Sequence, residues 1–324
     1  MRTQGPVAII GLGLIGGSLA LRLRREDQQV WAHARSPETR SAAEQHGIRA
    51  YADLPEMLTA LPEGATLVIA TPMEPALASL PKIAEHTGEG VTVTDVVSVK
   101  GPLVAAAREA GLAHRFVGAH PMAGTAESGF DAADPDLLTG ATWVITLDQD
   151  TDLQRWAQVC DLALQAGGRV VPADSEWHDH AAAWISHLPH VLAELLASNV
   201  EPRSLLGSLA AGSYRDATRV ALTRPELVEA MLVGNRRMLT EALESLLDQL
   251  EQATLGVRDG DVRTLLERGH ANRTEWEQRR TETGPGTRCE LSLASPDIRQ
   301  RLLDLGAAGG FVLSHESGRL TALT

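Results

Sequence analysis

One histidine, His120, stands within the segment "GAHPMAG" (118–124), between an alanine and a proline and with glycines on both sides. Imidazole is the side chain that most readily takes up a proton near neutral pH, so a histidine in such a stiff turn is a candidate general base. The apolar run "RFVGA" (115–119) predicts a strand that ends here. Because ligands bind at the carboxyl ends of strands in open α/β sheets, this position favours a catalytic role over a purely structural one.

The segment "GLGLIGG" (11–17) has glycines in GxGxxG spacing, directly after the apolar run "VAII" and at the start of an amphipathic helix. Such glycines allow a tight turn, close approach of the backbone to a pyrophosphate, and close packing of helix on strand. The start of the helix adds free N–H groups and the positive end of the helix dipole. A glycine-rich turn without a ligand is the alternative, but this context favours a dinucleotide site. The residues of this loop expected to contact the cofactor are Gly11, Gly13, Leu14, Ile15 and Gly16. Residues after later strands complete the expected set: Arg35, Ser36, Thr71 and Pro72.

The second predicted strand ends in "VWAHARSPE", where an NAD-binding chain would carry an acidic residue for the ribose hydroxyls. Ala34 stands at that position and is followed by Arg35 and Ser36. A guanidinium in place of a carboxylate suits a 2′-phosphate, so NADP is favoured over NAD. The alternative is that Arg35 stacks on the adenine without selecting the cofactor.

Two further segments end predicted strands on the same side as "GAHPMAG". In "IATP", Thr71 and Pro72 form a stiff turn where a nicotinamide would lie. In "DVVSVKGP", Ser98 and Lys100 follow the strand, and Ser98 is expected to fix the tautomer of His120 by bonding one ring nitrogen.

The second half of the chain offers histidines and arginines on predicted helices. His187 and His190 lie three residues apart in "WISHLPH", and Arg219 lies in "YRDATRVA". For His187 a satisfied position between domains is favoured over a ligand role. The histidines at 178, 180, 187 and 190 match no closed zinc pattern, and no cysteine supports them, so no metal site is expected.

The elements that position these residues follow from the hydrophobic pattern. Strands are predicted at 7–10, 28–34, 66–70, 91–96, 115–119 and 142–147. Helices are predicted between them at 14–26, 37–46, 75–86 and 100–110. This alternation indicates an α/β, Rossmann-like, doubly wound parallel sheet.

From residue 175 the pattern becomes helical, with stretches at 175–199, 203–213, 224–256 and 259–282. A break is predicted at "TGPGT" (283–287). The rest reads as a strand (289–293), a helix (295–307) and a hairpin around 315–318. We therefore predict three parts: a dinucleotide-binding domain (1–174), an all-α substrate and dimerisation domain (175–283), and a short βαββ tail (284–324). This tail is too small for a core of its own, so it packs on the body or pairs with a second copy.

The composition limits the partners. The chain has 324 residues, a formal net charge of −13 and 44% hydrophobic residues. An acidic surface repels phosphate backbones and anionic lipids, so neither nucleic acid nor membrane is an expected partner. Two distant cysteines, Cys160 and Cys289, provide no disulfide framework and favour the cytoplasm.

Six segments in order, "GLGLIGGSLA", "TP", "DVVSVK", "GAHPMAGTAESG", "SHLPH" and "RDATRVA", resemble the prephenate/arogenate dehydrogenase family of tyrosine biosynthesis. The resemblance runs from residue 7 to about 283 and implies a homodimer formed through the helical domain. It implies that His120 accepts the proton of the substrate's ring hydroxyl, with Ser98 as its hydrogen-bonding partner. It also implies that His190 and Arg219 bind the substrate.

The reaction implied is the NAD(P)-dependent oxidative decarboxylation of prephenate to 4-hydroxyphenylpyruvate. Conversion of arogenate to tyrosine is the alternative within the family. A β-hydroxyacid or imine reductase shares the same plan but would need a lysine or another acid/base group in the helical domain. A non-catalytic dinucleotide-sensing module would need neither His120 nor Arg219.

Overall fold

The structure, a computed structural model, describes residues 5–125, 127–281 and 286–324. Within these ranges the first sheet has six parallel strands in the order β3-β2-β1-β4-β5-β6. They are β1 (Val7–Ile10), β2 (Val30–His33), β3 (Arg49–Tyr51), β4 (Thr66–Ile69), β5 (Thr92–Asp95) and β6 (Phe116–Val117). The connecting helices are α1 (Leu14–Arg25), α2 (Pro37–Gln45), α3 (Leu54–Thr59), α4 (Met73–His86) and α5 (Gly101–Glu109). The predicted doubly wound parallel sheet is confirmed.

The chain leaves this sheet at Gly118 and enters a second one. Here β7 (Ala119–Pro121) pairs antiparallel with β8 (Thr142–Thr146), and α6 (Leu153–Gln165) leads to β9 (Arg169–Ala173), which is parallel to β8. A side chain at Gly118 would lie 2.9 Å from the Thr146 hydroxyl, so the crossing requires glycine. The run 142–147, predicted as a strand between helices, thus belongs to the second sheet. His120 lies in β7, just beyond the carboxyl end of β6.

Residues 175–281 are helical, as predicted. The helices are α7 (Ser175–Ala182), a π-helical turn (Ala183–His187), α8 (Leu188–Ser198), α9 (Leu205–Leu209), α10 (Gly212–Thr218), a 3₁₀ turn (Arg219–Leu222), α11 (Pro225–Gly234), α12 (Arg236–Asp259) and α13 (Arg263–Thr281). The helix predicted at 224–256 is two helices that meet at Asn235. In the described part of the chain, no helix is both long and apolar enough to cross a membrane.

The tail has the predicted order of elements: β10 (Arg288–Ser292), α14 (Ile298–Ala307), β11 (Phe311–Glu316) and β12 (Arg319–Leu323). Its strand β11 pairs antiparallel with β9, so the second sheet runs β10-β12-β11-β9-β8-β7. Leu302 and Val312 share one apolar core with Trp143 and Trp156. The tail therefore packs on the body of its own chain. The break predicted at 283–287 lies largely outside the described residues.

Candidate active site

The glycine-rich loop provides an open place for an anion at the start of α1. The backbone of Gly11 has φ +100°, and a Cβ on Gly16 would lie only 2.1 Å from the Gly11 carbonyl oxygen, so both positions require glycine. A Cβ on Gly13 would meet nothing within 4 Å. No side chain caps the N-terminus of α1, which leaves the first-turn N–H groups, those of Leu14 and Ile15 included, to a ligand. This cradle fits the pyrophosphate of a dinucleotide.

The segment after β2 carries basic side chains. It also carries an acidic side chain, Glu38, that the sequence prediction did not consider. Ala34 is buried, and Arg40 donates to the carbonyl oxygens of Ala34 (2.8 Å) and Arg35 (2.7 Å), which places a second guanidinium beside the exposed Arg35. The Ser36 hydroxyl accepts from the Thr39 amide as the N-cap of α2 and donates to Glu38 at 2.7 Å. Ser36 is thus already engaged within the chain.

The turn after β4 contains a hydroxyl without a partner. The Oγ1 atom of Thr71 is buried and has no hydrogen bond to any described residue, and Pro72 is the N-cap residue of α4. A buried polar atom of this kind costs free energy unless a ligand or water satisfies it. Thr71 therefore fits the predicted place beside a nicotinamide.

His120 has a different partner from the one that the sequence predicted. Its Nδ1 atom lies 2.9 Å from Nε2 of His178, and the structure gives its own Nε2 no hydrogen-bond partner among the described residues. Ser98 is partly exposed on the loop after β5 and makes no hydrogen bond to His120 in the described ranges. The predicted bond between Ser98 and His120 is therefore absent from the described residues, because α7 brings His178 against the ring and occupies Nδ1. The role of Ser98 at the site stays a prediction.

His178 is held in turn by the next residue. Its Nδ1 atom lies 2.8 Å from Oδ1 of Asp179. That carboxylate also accepts from the backbone N–H groups of Lys100 and Gly101, both at 2.7 Å, at the start of α5. Burial opposes ionisation of Asp179, but these hydrogen bonds prevail and lower the pKa of its carboxyl below the usual range.

A buried ion pair lies beneath the histidine. The Nζ atom of Lys100 donates to Oδ2 of Asp95 and, at 2.8 Å, to the carbonyl oxygen of Ala119, while Oδ1 of Asp95 accepts from the Ala119 amide at 3.2 Å. Lys100 and Asp95 are both fully buried. The pair thus fixes the backbone of the residue that precedes His120.

Electrostatics keep the base neutral in the free protein. Burial is the largest cause that lowers the pKa of His120 well below its usual value, and the positive charge of the nearby Lys100 adds to it. Burial likewise lowers the pKa of His187 to about 4. A neutral imidazole is the form that accepts a proton.

The two helical histidines of "WISHLPH" face different surroundings. The π-helical turn before α8 widens the backbone and accommodates Pro189, which cannot donate to an α-helical hydrogen bond. His187 is buried, and its Nδ1 accepts from the Asn235 side chain at 3.0 Å, so this nitrogen is satisfied by a partner within the helical half and not across the domains. His190 has a buried Nδ1 without a partner among the described residues.

Arg219 lies close enough to His190 for its charge to lower the pKa of that ring, after burial, which is the larger cause. Its own side chain is exposed, and it makes no hydrogen bond to His120 in the described ranges. Arg219 and His190 are thus neighbours, and neither side chain makes a hydrogen bond among the described residues. No group of three His, Cys, Asp or Glu side chains in these ranges could hold a metal ion.

Sequence reasoning missed several members of this polar cluster: Asp95, His178, Asp179 and Asn235. The run "HDH" (178–180) was considered only for zinc, and Asp95 only as the end of a strand. Two features could have identified them: polar residues at the end of an apolar strand, and an Asp–His pair on an otherwise apolar helix. Their partners, however, lie up to 79 positions away along the chain.

Comparison with known proteins gives consistent matches. The nucleotide-binding domain model of prephenate dehydrogenase matches residues 18–172, and the dimerization domain model of prephenate dehydrogenase matches residues 174–268. Prephenate dehydrogenase from Bacillus subtilis is 32% identical over 272 residues, which cover 80% of this chain and 72% of that protein.

Solved structures agree. A Corynebacterium glutamicum protein, described as a candidate prephenate dehydrogenase, matches with a TM-score of 0.86 and 37% identity over 95% of this chain and 98% of that one. Prephenate dehydrogenase from Aquifex aeolicus, solved with hydroxyphenyl propionate and NAD⁺, gives a TM-score of 0.75 and 27% identity over 87% of this chain and 99% of that one.

Proposed function

Because the chain belongs to the prephenate dehydrogenase family, we propose that it oxidises and decarboxylates prephenate to 4-hydroxyphenylpyruvate with a nicotinamide dinucleotide. The observation that carries the proposal is His120: a neutral ring at the carboxyl edge of the first sheet, bonded at Nδ1 and with no partner at Nε2 in the part of the chain that the structure describes. The relatives' name favours prephenate over arogenate, the alternative that differs by an amino group in place of the keto group.

In this proposal His120 takes up the proton of the ring hydroxyl at Nε2 and returns it when the phenol forms. When bound, the nicotinamide supplies the acceptor for the hydride that leaves the hydroxyl-bearing carbon. The ring carboxylate leaves as CO₂, and aromatisation makes that loss favourable. The protein therefore mainly has to orient the hydroxyl and keep His120 neutral, since a protonated base could not accept the proton.

We assign substrate binding to the helical side of the site. Prephenate is a dianion, and the chain has a formal net charge of −13, so a local cation is needed. Arg219 offers a guanidinium with two parallel donors for a carboxylate. His190 lies beside it with a buried nitrogen that lacks a partner among the described residues.

We propose that a set of residues around the glycine loop and the ends of β2 and β4 holds the dinucleotide and that NADP is preferred over NAD. The set is Gly11, Gly13, Leu14, Ile15, Gly16, Arg35, Ser36, Thr71 and Pro72. The absence of an acid at Ala34 and the neighbouring Arg35 and Arg40 support this preference, whereas Glu38 opposes it. In Arg35→Ala we expect the KM for NADP to rise about tenfold and that for NAD to change less than twofold, because one charged hydrogen bond to the 2′-phosphate is lost. Equal changes for both cofactors would remove Arg35 from this role.

We also propose a cytoplasmic homodimer joined through the helical domain, with neither nucleic acid nor membrane as a partner. The acidic net charge and the match to a dimerization domain support this assignment.

The test is a set of initial rates with prephenate and with arogenate, each with NAD and with NADP. We expect the largest kcat/KM for prephenate with NADP. Turnover of arogenate alone would reverse the substrate assignment. Cofactor binding without turnover of either substrate would favour the sensing module.

A further inference from the structure

A chain of three hydrogen-bonded side chains ends at the proposed base. Asp179 Oδ1 lies 2.8 Å from His178 Nδ1, and His178 Nε2 lies 2.9 Å from His120 Nδ1. Both Asp179 and His178 are almost fully buried, at 5% and 4% exposure. Water therefore has little access to the bonds between them, and each nitrogen must act as the donor or the acceptor that its neighbour requires.

Asp179 determines which nitrogen donates and which accepts in each of these hydrogen bonds. Its two oxygens accept from the backbone N–H groups of Lys100 and Gly101, which are donors only. An ionised carboxylate has no proton to give, so His178 Nδ1 must carry the N–H. In a neutral His178 the lone pair is then on Nε2, and His120 Nδ1 must donate to it. His120 is left with its lone pair on Nε2, the nitrogen without a partner among the described residues.

We propose that His178 and Asp179 are positioning residues for the reaction: they fix His120 in the tautomer whose Nε2 accepts the substrate's proton. When Nε2 takes that proton, His120 becomes an imidazolium whose Nδ1–H still donates to His178. The negative charge of Asp179 stabilises it through the intervening ring, and no proton moves to Asp179. The inference rests on the proposed function for its kinetic consequence, but the tautomer itself does not depend on it.

The hydrogen bonds from Asp179 through His178 to His120 also link the two halves of the molecule. His178 and Asp179 lie in α7, the first helix of the helical half, whereas His120 and the amides that hold Asp179 belong to the nucleotide-binding half. The Asn235 side chain, just before α12, donates to the Asp179 carbonyl oxygen at 2.7 Å. The orientation of the base is thus set where the two halves meet.

The first experiment compares His178→Leu with His178→Gln. Leucine offers no acceptor, so His120 loses the bond that fixes its tautomer; glutamine supplies an amide oxygen that can accept from Nδ1–H. At saturating prephenate and cofactor, we expect kcat to fall about a hundredfold in His178→Leu, with both KM values within about threefold of wild type. His178→Gln should recover at least tenfold of that loss. If His178→Leu keeps the wild-type kcat, the positioning role is wrong.

The second experiment is independent of turnover. ¹⁵N NMR of the His120 ring in the wild-type chain at neutral pH reports which nitrogen carries the proton. We expect a protonated Nδ1 and an unprotonated Nε2, with Nδ1 losing that preference in His178→Leu. A proton on Nε2 would mean that His178 is charged and that the chain runs the other way, which overturns the inference. If the tautomer is as expected but the wild type does not oxidise prephenate, the proposed function fails and the tautomer assignment stands.

Discussion

The nucleotide-binding half and the helical half of this chain differ in what they bury. Among the exposed large apolar side chains in the described ranges, all but Met122 lie between residues 177 and 276, and Leu205, Leu209 and Leu222 are at least 70% exposed. The two large apolar cores belong to the nucleotide-binding half and the tail, whereas the helical core in the described ranges consists of Ala183, Met238 and Ala242 with Trp184 against it. The nucleotide-binding half and the tail thus bury their large apolar side chains within the chain. The helical half exposes large apolar side chains that a second copy would cover.

The polar groups of the site show the same difference. Asp95, Lys100 and the Nδ1 side of His120 are bonded within the chain before any ligand arrives. The side chains of His190 and Arg219 make no hydrogen bond among the described residues. A catalytic group benefits from a fixed orientation, and a binding group must exchange water for ligand, so the two kinds of side chain are prepared differently.

The largest expected effect comes from His120, one of the polar groups that are already hydrogen-bonded within the chain. His120→Asn removes the proposed base without touching the apolar core, so kcat should fall by roughly 10²–10⁴. Cofactor affinity and the melting temperature should stay near wild type, since His120 belongs to none of the apolar cores. Stopped-flow or steady-state rates with a parallel thermal melt measure both. Wild-type turnover in this variant would show that another group takes the proton.

Acid should weaken the packing of the helical half around His187. The pKa of His187 is lowered from 6.5 to about 4, chiefly by burial, so between these values the unfolded chain binds more protons than the folded one. Stability is therefore lost as the pH falls from 6.5 towards 4, by about 3 kcal/mol in total from this residue. Urea unfolding at pH 7 and pH 4.5 should show a smaller pH dependence in His187→Gln than in the wild type or in a variant of the exposed His46. An equal dependence in all three would exclude His187 as the cause.

Arg219→Ala tests the proposed substrate-binding side chains of the helical half, which make no hydrogen bond among the described residues. Loss of a charged hydrogen bond of about 1.5–3 kcal/mol should raise the KM for prephenate between tenfold and a hundredfold, with a smaller change in kcat. The neighbouring Arg215, which is exposed and pairs with Asp216 at 3.4 Å, is the matched control. If Arg215→Ala raises KM as much as Arg219→Ala, the effect is one of general charge and not of a specific contact.

The exposed leucines of α9 test the need for a partner. Leu206→Glu places a charge on an apolar surface that a second copy would bury, and we expect the dimer dissociation constant to rise about tenfold. Ser208→Glu adds the same charge to the exposed part of the same short helix and should leave the constant nearly unchanged. Analytical ultracentrifugation over a concentration series measures both. Equal behaviour of the two variants would place the interface elsewhere on the helical half.

Local patterns predicted most of the elements. The strands at 7–10, 66–70 and 91–96 and the helix at 14–26 agree with β1, β4, β5 and α1 within a residue or two. β3 was missed because three residues are too few to show a period. The break at Asn235 was also missed, because the apolar period continues across it while the side chain of Asn235 turns to bond Asp179 and His187.

The sequence by itself determined the parallel sheet, the glycine loop and the position of His120 near a strand end, because each depends on residues that are neighbours along the chain. Only the tertiary structure decided that the chain changes sheets at Gly118, that the tail joins β9, and that His178 bonds Nδ1 of His120. Which nitrogen of His120 is bonded depends on a residue 58 positions away, brought there by the packing of α7. Hydrogen bonds between residues so far apart leave no periodic pattern in the sequence. Which nitrogen of His120 is bonded could therefore be found only in the folded chain.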